Sequence, residues 1–253
     1  MTEPFRVRLT GSSAGTLDQV IVQIELVDRA KKLCPAPWAL FDPSSLSGVA
    51  DGSVVTYYED TSGNGRHLEP VETGEVKVRT VAGEKLLYRE DAFITSKNEL
   101  SVAWNGGPID WDGTPPTTTV PGFTIWCEVV DPRVGTDTWL GLPPFSGGAS
   151  QLQVGTGGFP AGEVYAFEKT FGNLFGPVMP SGKSRVVVRF DVGRQEAELW
   201  LNGTLADTED DLDPAGFAWG LSVAGAFSST GGLGKMILWD QWIEDECLPG
   251  GSP

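Results

Sequence analysis

Histidine occurs once in the 253 residues, at His67. A histidine metal cluster is thereby excluded, and a serine triad would have to rest on that one side chain. Beside a turn, it reads first as a structural or exposed residue. Cysteine is nearly as scarce: Cys34, Cys127 and Cys247 are too few and too scattered for a disulfide framework or a CxxC zinc site. Free thiols are the expectation, with a Cys34–Cys247 bridge left open. Basic residues are in short supply, 18 Lys and Arg against 34 Asp and Glu, and the net charge of −16 repels phosphate backbones and anionic lipid surfaces. No nucleic-acid partner is expected. No apolar run reaches the roughly 18 residues of a membrane-spanning helix, so no membrane insertion is expected either. The opening Met1-Thr2-Glu3-Pro4-Phe5-Arg6 lacks the basic-then-apolar order of a secretion signal. A chain made in the cytoplasm and kept soluble is the expectation.

Helix breakers, by contrast, are plentiful. Thirty-three glycines and 18 prolines leave little room for long helices, while 40% hydrophobic residues with nine tryptophans and twelve phenylalanines provide a core. Thr16–Val27 alternates as a strand does, and charge at Asp28–Lys32 closes it. Residues 1–33 therefore read as an N-terminal β arm, either a first strand of the main sheet or an attachment segment. From Pro37 on, short β-type runs recur between turn signals, as an antiparallel sandwich requires. They include Val54–Glu59, Val76–Val81, Lys85–Tyr88, Phe93–Thr95, Leu100–Trp104, Gly122–Val130, Gln151–Val154, Val164–Glu168, Ser184–Asp191, Ala197–Leu201, Trp219–Ala224 and Lys235–Trp242. Ser62–Gly65, Asn105–Pro108 and Asn202-Gly203 supply residues that tolerate positive φ in tight reversals. The Pro/Thr-rich stretch Thr114–Pro121 reads as a long loop, since strand-like sequence continues on both sides. In Glu196–Leu201, Ala197, Leu199 and Leu201 share one face and Glu196, Glu198 and Trp200 the other, the pattern of a sheet with one wet face. Trp139, Trp219 and Trp239 fall within strand runs and read as core.

Three pieces resemble the laminin-G-like and concanavalin A-like jelly rolls. The first is Trp38–Asp42 followed by Tyr58–Leu68 with its Asp-x-Ser-Gly-Asn-Gly turn; the second is Leu199–Gly203; the third is Gly234–Asp240 with Trp242, Ile243 and Glu244–Glu246. The resemblance implies an all-β, two-sheet antiparallel sandwich over residues 34–248, with 249–253 as a flexible tail. It also implies a working place outside cells, and domains of this kind without an export signal are similar to those of bacteriophage virions, minor tail proteins among them. Assembly in host cytoplasm, with exposure after release, would reconcile the two.

Glycoside hydrolases on this fold carry Glu-x-Asp-x-x-Glu on one strand, and that motif is absent here. Glu196 with Glu198 and the Glu244–Glu246 cluster are the nearest approximations, and solvated surface charge explains both. No catalytic residue is assigned. Sugar binding needs exposed aromatic faces with carboxylates or amides beside them, and Asn105–Gly113 has that composition, making Trp111, Asp110, Asp112 and Asn105 the carbohydrate-binding candidates. A tryptophan capping the sandwich edge is the plainer account of Trp111. Asp60 with Asn64, or Asp110 with Asp112, are the candidate calcium ligands; neither spacing makes a full ligand loop, and otherwise no cofactor is expected. The resulting expectation is a non-catalytic phage virion structural protein, a minor tail protein binding host-surface glycan. It would contact other virion proteins through residues 1–33 and occur as a homo-oligomer or within an assembly. A glucanase or lyase on the same fold, and a capsid decoration protein without ligand, are the alternatives.

Overall fold

The computed structural model describes residues 34–70, 76–89, 100–103, 119–120, 122–132, 137–141, 153–157, 163–168, 172–191, 193–210, 217–218, 220–223 and 227–250. In chain order the strands are β1 (Ala39–Phe41), β2 (Glu69–Pro70), β3 (Lys77–Val81), β4 (Glu84–Tyr88), β5 (Leu100–Ala103) and β6 (Thr119–Val120). There follow β7 (Gly122–Pro132), β8 (Asp137–Gly141), β9 (Gln153–Gly157), β10 (Glu163–Glu168), β11 (Gly172–Val178) and β12 (Lys183–Asp191). The last are β13 (Glu196–Leu201), β14 (Thr204–Glu209), β15 (Phe217–Ala218), β16 (Gly220–Val223) and β17 (Phe227–Trp239). Two short 3-10 helices, Pro43–Leu46 and Asp245–Cys247, are the helical elements among the described residues.

The strands form two large antiparallel sheets. An eight-stranded sheet runs β14-β13-β12-β7-β17-β4-β3, with β1 also on β17, and a seven-stranded sheet runs β11-β10-β9-β8-β16-β5-β2. The period-two pattern decides what lies between them. Phe123, Ile125, Cys127 and Val129 of β7, Val186, Val188 and Phe190 of β12, and Ala197, Leu199 and Leu201 of β13 point inward. They share one core with Val154, Val164, Ala166 and Leu174 of the second sheet. The all-β sandwich expected from the sequence is thus the fold. Asn202 and Gly203 take φ of 51° and 82° between β13 and β14, the doubly positive pair of a tight hairpin turn. Asn202 also accepts the Arg185 backbone N–H at 2.8 Å through its side-chain oxygen.

Several expectations need correction. The face of β13 expected to be wet is covered: Trp126, Val187, Ile237 and Trp239 on the outside of the eight-stranded sheet bury Ile243 and Leu248 of the C-terminal segment. Glu198 lies beneath that cover, 8% exposed, and is no solvated charge. Trp239 is buried as expected, but in this outer cluster and not between the sheets. Val54–Glu59 forms no strand; it makes only the bridges Val54↔Lys77 and Tyr58↔Leu68. The last strand begins earlier than Lys235 and ends at Trp239. Its early half contains Gly231 and Gly232. A Cβ on Gly232 would come within 2.6 Å of Leu86 Cβ, so glycine here permits close approach of β4 to β17. Cys34 and Cys247 are disulfide-bonded, against the free-thiol expectation, while Cys127 is free and fully buried. Burial pushes its thiol up to about 12. The arm at 1–33, the Phe93–Thr95 run, most of the Thr114–Pro121 loop, Trp219 and residues 251–253 lie outside the described residues.

Candidate functional site

A break in register helps to shape a surface groove among the described residues. Between the pairs Leu233↔Val129 and Met236↔Cys127, β17 sets two residues, Gly234 and Lys235, opposite the single Glu128 of β7. Such a bulge re-aims side chains and bends its strand. A Cβ on Gly234 would sit 3.1 Å from that of Glu128, so the missing side chain keeps the surface open. Lys235 reaches Asp42 at 3.4 Å. Asp42 caps the 3-10 helix Pro43–Leu46 by accepting the Ser44 N–H at 2.9 Å. Lys183, at the start of β12, bridges Glu84 of β4 at 3.0 Å and Glu128 at 3.1 Å. Lys85 donates to Asp51 and to the Val49 carbonyl, both at 2.8 Å.

These side chains, with Leu86 and Pro43, line a groove of about 420 Å³. Three ammonium groups (Lys85, Lys183, Lys235) and three carboxylates (Asp42, Glu84, Glu128) make its lining electrically even. Partial burial alone would raise the Asp42 carboxyl, but hydrogen bonds from Ser44 and the Lys235 charge hold it below the ordinary range. Burial would likewise lower Lys183, yet its bonds to Glu84 and Glu128 raise it. Asp51, beside the groove, is lowered to about 2 by hydrogen bonds from Lys85 and Thr80. The groove therefore keeps Asp42 and Lys183 ionised near neutrality. It offers closely spaced donors and acceptors and no net charge with which to draw an ion.

The other half of the same outer face is closed. Arg189 of β12, 4% exposed, donates through Nε to Glu198 and through a terminal nitrogen to Asp245 at 2.6 Å and the Ile243 carbonyl at 3.0 Å. Its guanidinium lies 4.5 Å from the Trp242 ring centroid and 5.3 Å from that of Trp200. Trp200 Nε1 donates to Glu198 at 2.6 Å, and Arg194 pairs with Glu244. Burial first and the neighbouring Glu198 second raise the Glu196 carboxyl. Of the acidic residues singled out in the sequence, Glu198, Glu244 and Asp245 thus help to fasten the C-terminal segment to the sheet through Arg189 and Arg194.

Asp60 and Asn64, the sequence's calcium candidates, stand in a self-bonded turn. Asp60 accepts from Leu40 N at 2.9 Å, Ser62 N at 2.9 Å, Ser62 Oγ at 2.8 Å and Arg66 N at 3.0 Å. Burial would raise its carboxyl, but these donors hold it below the ordinary value. Asn64 donates its amide to the Pro37 and Trp38 carbonyls at 2.9 and 3.1 Å. Among the described residues no three His, Cys, Asp or Glu side chains gather as a metal-holding group. Asn105, Asp110, Trp111 and Asp112 lie outside the described residues. Sequence reading missed the groove residues Asp42, Glu84, Glu128, Lys183 and Lys235 as a set. The one local signal for them was Gly234 inside a strand-like run, the mark of a bulge.

No family model and no curated protein matches the chain. Solved structures do. Domain 4 of AbnA, a GH43 extracellular arabinanase from Geobacillus stearothermophilus, in complex with arabinotriose, superposes with a TM-score of 0.52 at 8% identity, over 87% of this chain and 100% of that one. The binding domain of botulinum neurotoxin DC in complex with SialylT gives 0.51 at 10% identity, over 83% of this chain and 49% of that one. Trypanosoma rangeli sialidase with 2,3-difluorosialic acid gives 0.53 at 9% identity, over 90% of this chain and 38% of that one. The chain therefore spans the whole of the arabinanase domain but half or less of the other two. At such identities the likeness establishes the architecture, an antiparallel β-sandwich of the jelly-roll kind.

Proposed function

We propose that this chain is a non-catalytic β-sandwich module that binds carbohydrate in the groove at the β17 bulge. The observation that carries this reading is the composition of the groove, in which three ammonium groups and three carboxylates balance one another. Sugar hydroxyls both donate and accept, so a hydroxyl-rich ligand can insert into such an array and leave no charge unpaired. Leu86 and Pro43, both buried, lie behind these charged groups. The arabinanase domain, which the chain covers end to end, was solved with arabinotriose bound, and this supports the same ligand class here.

The carboxylates of the groove speak against catalysis. A glycosidase needs one acid whose pKa is raised so that it can protonate a leaving group. Asp42 is shifted the other way, and Glu84 and Glu128 share one ammonium. The finer assignment, to a bacteriophage tail with residues 1–33 as the attachment segment, rests on the sequence resemblance.

Affinity electrophoresis in gels containing soluble polysaccharides tests the reading. Retardation by at least one polysaccharide is expected, weakened tenfold or more in Lys183→Met and in Glu128→Gln. Migration unaffected by every polysaccharide, or retardation indifferent to both substitutions, would refute the groove as a glycan site. Release of reducing ends would refute the non-catalytic part alone.

A further inference from the structure

We infer that Tyr57 and His67 form a second contact, a stacking platform for a neutral sugar; this rests on the reading of the chain as a carbohydrate-binding module. Tyr57 is 46% exposed, whereas its neighbour Tyr58 is fully buried. Tyr58 N and O exchange two 2.9 Å hydrogen bonds with Leu68, which fixes the backbone on both sides of that bridge. Tyr57 and His67, the residues just before Tyr58 and Leu68, stand together with ring centroids 4.9 Å apart and planes inclined by 35°.

The imidazole does not swing freely. Its Nδ1 accepts the Asp60 backbone N–H at 3.1 Å, and the Asp60 carboxylate is held by Leu40, Ser62 and Arg66. In the neutral ring an accepting Nδ1 leaves the proton on Nε2, a donor in the plane of the platform. Glu59 and Glu69, both exposed, flank the pair. Partial loss of hydration, and then the charges of Glu59, Glu69 and Asp60, raise the Tyr57 hydroxyl above its ordinary value, so these carboxylates lie within electrostatic reach of the ring.

A pyranose uses this set of groups. Its C–H face stacks on an aromatic ring, and its hydroxyls bond to carboxylates, a phenol and an N–H donor. Because the bridge and the turn fix both rings beforehand, little conformational entropy is lost on binding. The class of sugar follows from charge. Two flanking carboxylates on a protein of net charge −16 disfavour sialic and uronic acids and leave neutral sugars.

As His67 is the only histidine, its ring protons can be assigned without ambiguity by NMR on the full chain. The probes are arabino-, gluco-, galacto- and manno-oligosaccharides, with sialyllactose as the anionic comparison. A saturable shift of the His67 ring protons by at least one neutral oligosaccharide is expected, weakened fivefold or more in Tyr57→Ala and in Tyr57→Leu, with the melting temperature of both variants checked. Perturbation confined to amides around Lys183 and Glu128 would overturn the platform and leave the groove standing. No perturbation anywhere would overturn both. A response to sialyllactose as strong as that to neutral sugars would overturn the class assigned.

Discussion

The outer face of the eight-stranded sheet carries two ion-pair clusters that share strand β12 and differ in their exposure to water. Around Arg189 the ion pair with Glu198 is buried under the C-terminal segment, flanked by Trp200 and Trp242. Around Lys183, on the same strand β12, they are open to water, and the lysine side chain keeps 43% of its surface exposed. What separates them is the cover. Ile243 and Leu248 exclude water from one half, while the bulge at Gly234 and Lys235 holds the other half open. A buried charge must be matched by its partners because water cannot reach it, and an exposed pair is already hydrated and screened. The first cluster is therefore committed to the fold, and the second is available to a ligand.

The sharpest way to break this contrast is Arg189→Ala. Loss of the guanidinium strands Glu198 in a buried site, and a destabilisation of about 3–5 kcal/mol is expected by denaturant titration. A loss no greater than that from an exposed pair would erase the distinction. Ile243→Ala should cost somewhat less, about 2–4 kcal/mol, through the cavity left against Trp126 and Ile237. The same titration should show it.

Next in size is an acid effect at the Asp60 turn. The folded-state pKa is lowered, so its contribution is present above the unfolded value near 4 and is lost as pH falls through the folded one. The melting temperature should drop as pH falls below about 4, and Asp60→Asn should flatten part of that slope. An unchanged slope in the variant would remove Asp60 from the account. Smallest is Lys183→Met, for which less than about 1 kcal/mol is expected because the pair is solvated. If the comparison holds, the mutation with the least effect on stability has the largest effect on glycan retention.

Local pattern made most of the sandwich legible. Strands such as β12 and β13 alternate cleanly, and Asn202-Gly203 marks its own turn. What the pattern missed lies mainly where neighbours override it. β11 (GNLFGPV) and β14 (TLADTE) are end strands of their sheets, where proline, glycine and polar residues cost little. The alternation of Glu196–Leu201 correctly separates two faces but cannot say that a segment forty residues later will cover the outer one, since that depends on a tertiary contact. For the same reason Glu198 read as solvated. The groove was harder still: its charged residues come from β4, β7, β12, the bulge and a helix cap, and no window of sequence contains them together. By contrast the Asp60 turn, whose partners lie mainly within a few residues, was visible as a motif.

The solitary reduced cysteine of the core gives the molecule an internal clock. Cys127 sits in the middle of β7 with no exposed surface and a thiol that stays protonated at neutral pH. A maleimide in the buffer can modify it only after β7 leaves the sandwich. The labelling rate should therefore measure how often the two layers part.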